Sequence, residues 1–196
     1  MIKNINIDTS RLNNSVRVIK ARECAAKLLI ILRSKQFKSE IVNMDRDKWL
    51  RGETSKSSFK QLTNEEIYNK IMSGKEEWND DEDFEVDLII DDYYSWGKVV
   101  GYMMPNKPTI FVNTKFFDSM SKLKVVSNMA HEYLHTLGSR HSGYNLRDSL
   151  PYFMNHIVSK HYYQIFKTET PEPKYKTACI RKWYRLWIKK CVKVRV

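Results

Sequence analysis

Three of the chain's five histidines fall within eleven residues, HEYLHTLGSRH at 131–141, at offsets of zero, four and ten. On a helix, residues four apart share a face, so His131 and His135 can direct two imidazoles at one ion. Glu132, one residue further on, is rotated about 100° away and stays beside that ion rather than on it. Gly138 permits a sharp exit from the helix through a positive φ, which is needed to bring His141 back as a third nitrogen ligand. Three neutral nitrogen donors leave one tetrahedral position for water, and the adjacent carboxylate is free to take a proton from it. That is the donor set of a hydrolytic zinc site. The pattern HExxHxxGxxH fixes five positions, and its chance occurrence at this composition is on the order of 10⁻⁵.

Such groups need a helix running through 131–135 and a scaffold behind it. FDSMSKLKVVSNMAHEYLHTLG (117–138) places Leu123, Val126, Ala130, Leu134 and Leu137 at helical spacing, with Asp118 or Ser119 as cap and Gly138 as stop. Ahead of it FEVDLIID (84–91), WGKVVGYMM (96–104) and PTIFVNT (108–114) are short, rich in β-branched and aromatic residues, and read as strands of one sheet. Residues 10–36 read as a helix, EIVNM (40–44) as a short strand and 50–62 as a polar loop. TNEEIYNKIMSG (63–74) reads as a helix with a Thr63–Glu66 capping box and Gly74 at its end. LPYFMNHIVSKHYYQIF (150–166) reads as a turn leading into a helix. The expected fold is α+β: a short mixed sheet with a backing helix and an active-site helix, plus C-terminal helices.

HEYLHTLGSRH is similar to the signature of the metzincin zinc metallopeptidases. TNEEIYNKIMSG, VVGYMMPNKPTIFVNTKFF and the Pro-Tyr after the third histidine look like a group of small metzincin-like proteins of bacteria and phages, so the resemblance spans roughly residues 60–160. It implies a metzincin-like catalytic domain in which His131, His135 and His141 bind zinc and Glu132 is the general base for peptide-bond hydrolysis. It also implies a methionine turn beneath the metal. Met154 is the candidate, with Pro151-Tyr152 as the alternative centre of that turn. Some relatives place a tyrosine two residues after the methionine as an extra ligand or transition-state donor. Here that position is His156, so Tyr152, Tyr144 and His156 compete for the role. The resemblance further implies an extended peptide substrate paired by its main chain to an edge strand. Ile110, Phe111 and Val112 in PTIFVNT are the candidate edge, an interior strand being the alternative. No cysteine pair follows His141, which argues against a second, cysteine-bound zinc, and Cys24 lacks the flanking pattern of an inhibitory cysteine switch.

The net charge of +11 is unevenly spread. Residues 160–196 hold 11 Lys/Arg against 2 Asp/Glu, whereas residues 76–95 hold ten acids and no base. PEP at 171–173 breaks the chain ahead of KYKTACIRKWYRLWIKKCVKVRV, where Ile180, Trp183, Trp187 and Cys191 fall near one helical face. The expected organisation is a catalytic domain over 1–170 and a basic, aromatic, helical tail over 171–196. That tail either docks its aromatic stripe on the domain or meets an anionic partner, nucleic acid or membrane surface, through residues 174–196. The tail sustains a second reading: a catalytically silent metzincin-fold structural or virion-associated protein anchored by its basic end. Three cysteines form no disulfide framework, the longest apolar run is LLIIL (28–32), and the N-terminus lacks a secretory signal. A cytoplasmic or virion-associated location is expected.

Overall fold

The computed structural model describes residues 1–77, 83–104, 109–141, 143, 145–166, 175–181 and 189–195. The chain divides into two units, Met1–Phe166 and Lys167–Val196. In the first, β1 (Asn4–Asp8), β2 (Glu85–Tyr93), β3 (Gly101–Met103) and β4 (Thr109–Asn113) form one mixed sheet in the order β1–β2–β4–β3. β1 and β4 run parallel to β2, and β3 runs antiparallel to β4. With seven α-helices among the described residues, the fold is α+β.

The sheet departs from expectation in three places. β4 is an interior strand: Ile110 pairs with Ile90 on one side and Met103 on the other. Ile110, Phe111 and Val112 therefore have no free main-chain edge, and among the described residues the free edges belong to β1 and β3. The second departure is β1 itself, NINID, whose polar alternation leaves Ile5 and Ile7 half-buried and gives no strong strand signal. Its register is set partly by Asn6, whose side-chain amide donates to Glu85 (2.6 Å) and Asp87 (2.9 Å) on β2. Third, the strand expected over 96–104 shortens to β3. The Asn113 amide donates to the carbonyls of Ser95 and Val99, both at 3.1 Å, which holds 95–99 as a loop.

Helix α1 (Ser15–Leu32) is capped by Asn14 and buries Ala21, Cys24, Leu28, Ile31 and Leu32. The helix expected over 10–36 breaks at Ser34, whose hydroxyl accepts from Phe37 N–H and starts α2 (Lys35–Val42). EIVNM is thus no strand. Phe37 and Ile41, four apart and both buried, give the segment a helical face that outweighs its β-branched pair. A single turn, α3 (Arg46–Trp49), leads into the polar loop, and α4 (Asn64–Ser73) carries the expected Thr63–Glu66 capping box and ends at Gly74. Asn113 caps the short α5 (Thr114–Phe117), and Ser121, rather than Asp118 or Ser119, caps α6 (Lys122–Thr136). Asp118 instead pairs with Arg17 of α1 at 2.7 Å.

Helix α7 (Leu150–Ile165) begins at the first residue of the stretch expected to open with a turn. Pro151 suits the first helical turn, where its missing N–H leaves no bond unmade. Leu150, Phe153, Met154, Ile157, Val158 and His161 form a continuous buried stripe. Met154 therefore sits inside a helix and in the core, not in a turn, and Pro151-Tyr152 is likewise helical. α6 packs against both α1 and α7. No helix among the described residues is long and apolar enough to cross a membrane.

The second unit corrects the helical tail. β5 (Tyr175–Arg181) and β6 (Lys189–Arg195) pair antiparallel, with Tyr175 opposite Arg195 and Cys179 opposite Cys191. Ala178 and Ile180 on one strand and Val192 and Val194 on the other recur every second residue, a strand period, and three of these four are β-branched. Trp183 and Trp187, which carried the helical reading, lie outside the described residues.

Candidate metal centre

The site grows from the end of α6. Ala130, Tyr133, Leu134 and Leu137 are buried and fix the helix in the core, and the Tyr133 hydroxyl donates to the Ile71 carbonyl of α4 at 2.7 Å. This leaves His131 and His135 on the opposite, half-buried side. The helix then ends in a Schellman turn. Gly138 N–H donates to His135 (3.2 Å) and Ser139 N–H to Leu134 (2.9 Å), with Gly138 at φ 93°. A methyl group there would lie 2.2 Å from Glu77 Oε1 and 2.4 Å from Ser58 Oγ. The reversal returns the chain so that His141 faces the two helical histidines. Ring centroids are 5.1 Å apart for His131–His135, 4.8 Å for His135–His141 and 5.8 Å for His131–His141. One ring nitrogen from each lies within 4.8 Å of the other two.

Neighbouring groups orient two of the three imidazoles. His135 Nδ1 lies 2.8 Å from the Ser139 carbonyl oxygen and donates to it, so Nε2 is the nitrogen left for an ion. The Asn155 amide nitrogen of α7 stands 3.2 Å from His131 Nδ1. Burial first, then the neighbouring imidazoles, pushes His131 down to about 3, and burial holds His135 and His141 below the usual histidine range. All three are neutral near pH 7, the form that ligates. Three neutral nitrogens fit zinc, whose bonds of about 2.0–2.1 Å would draw them together by small side-chain rotations.

Glu132 is 5% exposed, and burial alone pushes its carboxyl up to about 7. Its charge acts on the Tyr93 phenol at the end of β2, which burial holds above the usual tyrosine range. Tyr93 packs edge-on to Tyr102 of β3 at 5.3 Å, and Tyr102 stacks on Phe111 at 4.9 Å. Phe111 thus contributes to an aromatic wall rather than a strand edge.

Of the three competing donors, the structure brings Tyr152 to the site. Its ring lies 4.9 Å from that of His131 and 6.0 Å from that of His141. His156, one helical turn later, is exposed to solvent, and Tyr144 lies outside the described residues. Cys24 is fully buried and burial pushes its thiol up to about 12, so it is inert packing. Compared with models of known protein families, with curated proteins and with solved structures, the chain finds no match.

Sequence reasoning missed Glu53, Ser139 and Asn155. Ser139 lies inside the motif, at one of its unspecified positions, and Asn155 is one helical turn past Pro151. Glu53 gave no signal, being one acid in a polar loop far upstream. It is 4% exposed and faces the returning strand, where residues 53 and 141 form an isolated antiparallel bridge. Around it, Thr54 N–H donates to Arg140 (2.7 Å), Gly52 N–H donates to Asp148 (2.9 Å), and Arg140 pairs with Glu77 at 2.6 Å.

Proposed function

We infer that this chain is a zinc-dependent peptidase of the metzincin type. The observation that carries the reading is three neutral imidazoles converging on one point, with a buried carboxylate next in sequence to the first of them. His131, His135 and His141 would hold the zinc, which when bound polarises a peptide carbonyl and acidifies water. Glu132 accepts the proton of the attacking water on its carboxylate and delivers it to the leaving amine. A carboxyl that titrates near neutrality suits both halves of that task. Tyr152, whose ring lies 4.9 Å from that of His131, would donate its phenol O–H to the oxygen that gains charge in the transition state. An extended substrate would add to the free edge of β3, beside the wall of Tyr93, Tyr102 and Phe111.

Metal analysis combined with peptide-library cleavage tests the reading. Wild type is expected to hold about one zinc per chain. Glu132→Gln should keep both metal and fold while turnover falls by orders of magnitude, since it removes the base without removing a ligand. A zinc-loaded wild type that cleaves no faster than Glu132→Gln would leave a silent zinc protein and overturn the peptidase assignment.

A further inference from the structure

The loop residue Glu53 is the point at which three segments around the histidines are tied together. Its Oε1 accepts from Leu150 N–H at 3.0 Å and from the Ser139 hydroxyl at 2.8 Å. Oε2 accepts from Arg140 N–H at 3.0 Å and lies 3.0 Å from the same hydroxyl. Each bond leads to a different imidazole. Ser139 presents the carbonyl that takes the His135 Nδ1 proton. Arg140 precedes His141, and the bridge between residues 53 and 141 fixes that segment again through the main chain. Leu150 N–H opens α7, whose first turns supply the Tyr152 ring beside His131 and the Asn155 amide 3.2 Å from its Nδ1.

We propose that Glu53 is a positioning residue for the metal centre: its buried carboxylate ties the 139–141 segment to the start of α7, holds the groups beside the three imidazoles in the ligating arrangement and supplies the negative charge behind a bound dication. The proposal rests on the zinc-site reading above. Two physical features favour a role beyond packing. Burying a carboxylate is unfavourable unless several donors meet it, and this one meets three donor groups, none of them, among the described residues, a lysine or arginine side chain. A cation held by His135 and His141 would stand as its counter-charge, because the two Glu53 oxygens meet the Ser139 hydroxyl and the Arg140 N–H, residues between those two histidines on the returning segment. Second, the donors are matched to a carboxylate and not to an amide. Glutamine would turn an NH2 group toward either Leu150 N–H or Arg140 N–H, setting donor against donor.

The test is zinc affinity by competition with a chromophoric chelator, together with the visible spectrum of the Co2+-loaded protein, on wild type, Glu53→Gln and Ser139→Ala. Folding of each metal-free variant is checked by circular dichroism. Outer-sphere partners of metal ligands typically change affinity about ten- to a hundredfold, and that is the loss expected for Glu53→Gln, with an altered Co2+ spectrum. Ser139→Ala deletes one donor and no charge. It should fold, weaken zinc by a smaller factor, and carry the test if Glu53→Gln does not fold. A residue that merely packs would lower the melting temperature of the metal-free chain and leave affinity and spectrum at their wild-type values. That result, in whichever variant folds, overturns the proposal. Wild type that fails to bind zinc at all overturns the metal reading itself, an outcome distinct from equal binding by wild type and variants.

Discussion

Gly138→Ala perturbs the turn on which the whole site depends, and its consequence can be worked from the structure. At φ 93° an alanine would pay a conformational penalty of roughly 1–2 kcal/mol that glycine does not. Its methyl would overlap Glu77 Oε1 and Ser58 Oγ, so both side chains must withdraw. Withdrawal of Ser58 removes its 2.9 Å bond to the Leu137 carbonyl, about 1 kcal/mol. Withdrawal of Glu77 loosens its pair with Arg140, which is partly exposed and contributes about 0.5 kcal/mol. The total is about 3 kcal/mol, and for a chain of this size it should lower the melting temperature by roughly 6–12 °C. Urea unfolding of the metal-free protein measures the first quantity and calorimetry the second. Gly143→Ala is the control, since a methyl there meets nothing within 4 Å. A Gly138→Ala chain as stable as the Gly143→Ala control would refute the claim that this turn needs glycine.

His141→Ala should strip most of the zinc while leaving α6 folded, because His141 lies outside the helix and is only half-buried; full retention in metal analysis would remove it from the ligand set. Glu76 is 2% exposed and burial raises its carboxyl from 4.5 to about 7. Ionising it in the folded chain is therefore unfavourable, and stability should fall by about 3 kcal/mol as pH rises from 4.5 through 7. Glu76→Gln should flatten that decline in urea melts across the same range, and parallel slopes would count against the assignment. A chain ending at Phe166 removes nearly all of the basic excess after residue 159. If the tail meets anions, the full chain should bind nucleic acid or anionic vesicles in a strongly salt-dependent way and the shortened chain should not; binding insensitive to salt would sink that idea.

Much of the candidate site was legible because its determinants are local. Helical spacing places His131, Glu132 and His135, and one glycine turns the chain toward His141, all within eleven residues. The capping box of α4 and the stripe of α6 were readable for the same reason: each is set by neighbours three or four positions apart. What failed to read out was set by partners far along the chain. Whether PTIFVNT is an edge or an interior strand depends on where β3 joins the sheet, and a central strand looks the same locally in either case. β1 is a run of five alternating residues too short to stand out by itself, and its pairing with β2, where Asn6 also meets Glu85 and Asp87, decides it. Met154 was drawn into a turn by analogy, while the apolar spacing of its own segment already favoured a helix.

The same division between local and distant determinants runs through the metal centre and gives it two separable properties. The motif sets which atoms can meet, and it would do so on any helix followed by a Schellman turn. How firmly they are held depends on groups outside that run: the Asn155 amide beside His131, and Glu53 joining the 139–141 segment to the start of α7. Three imidazoles on a loosely held turn would lose orientational freedom on binding an ion, and that loss would subtract from affinity. With His135 bonded to the Ser139 carbonyl, His131 beside the Asn155 amide and the His141 segment bridged to Glu53, much of that freedom is already gone in the folded chain. Substitutions at these supporting positions should therefore act on metal affinity while Glu132 acts on turnover, a separation that activity measurements alone cannot reveal and that metal titration beside them can.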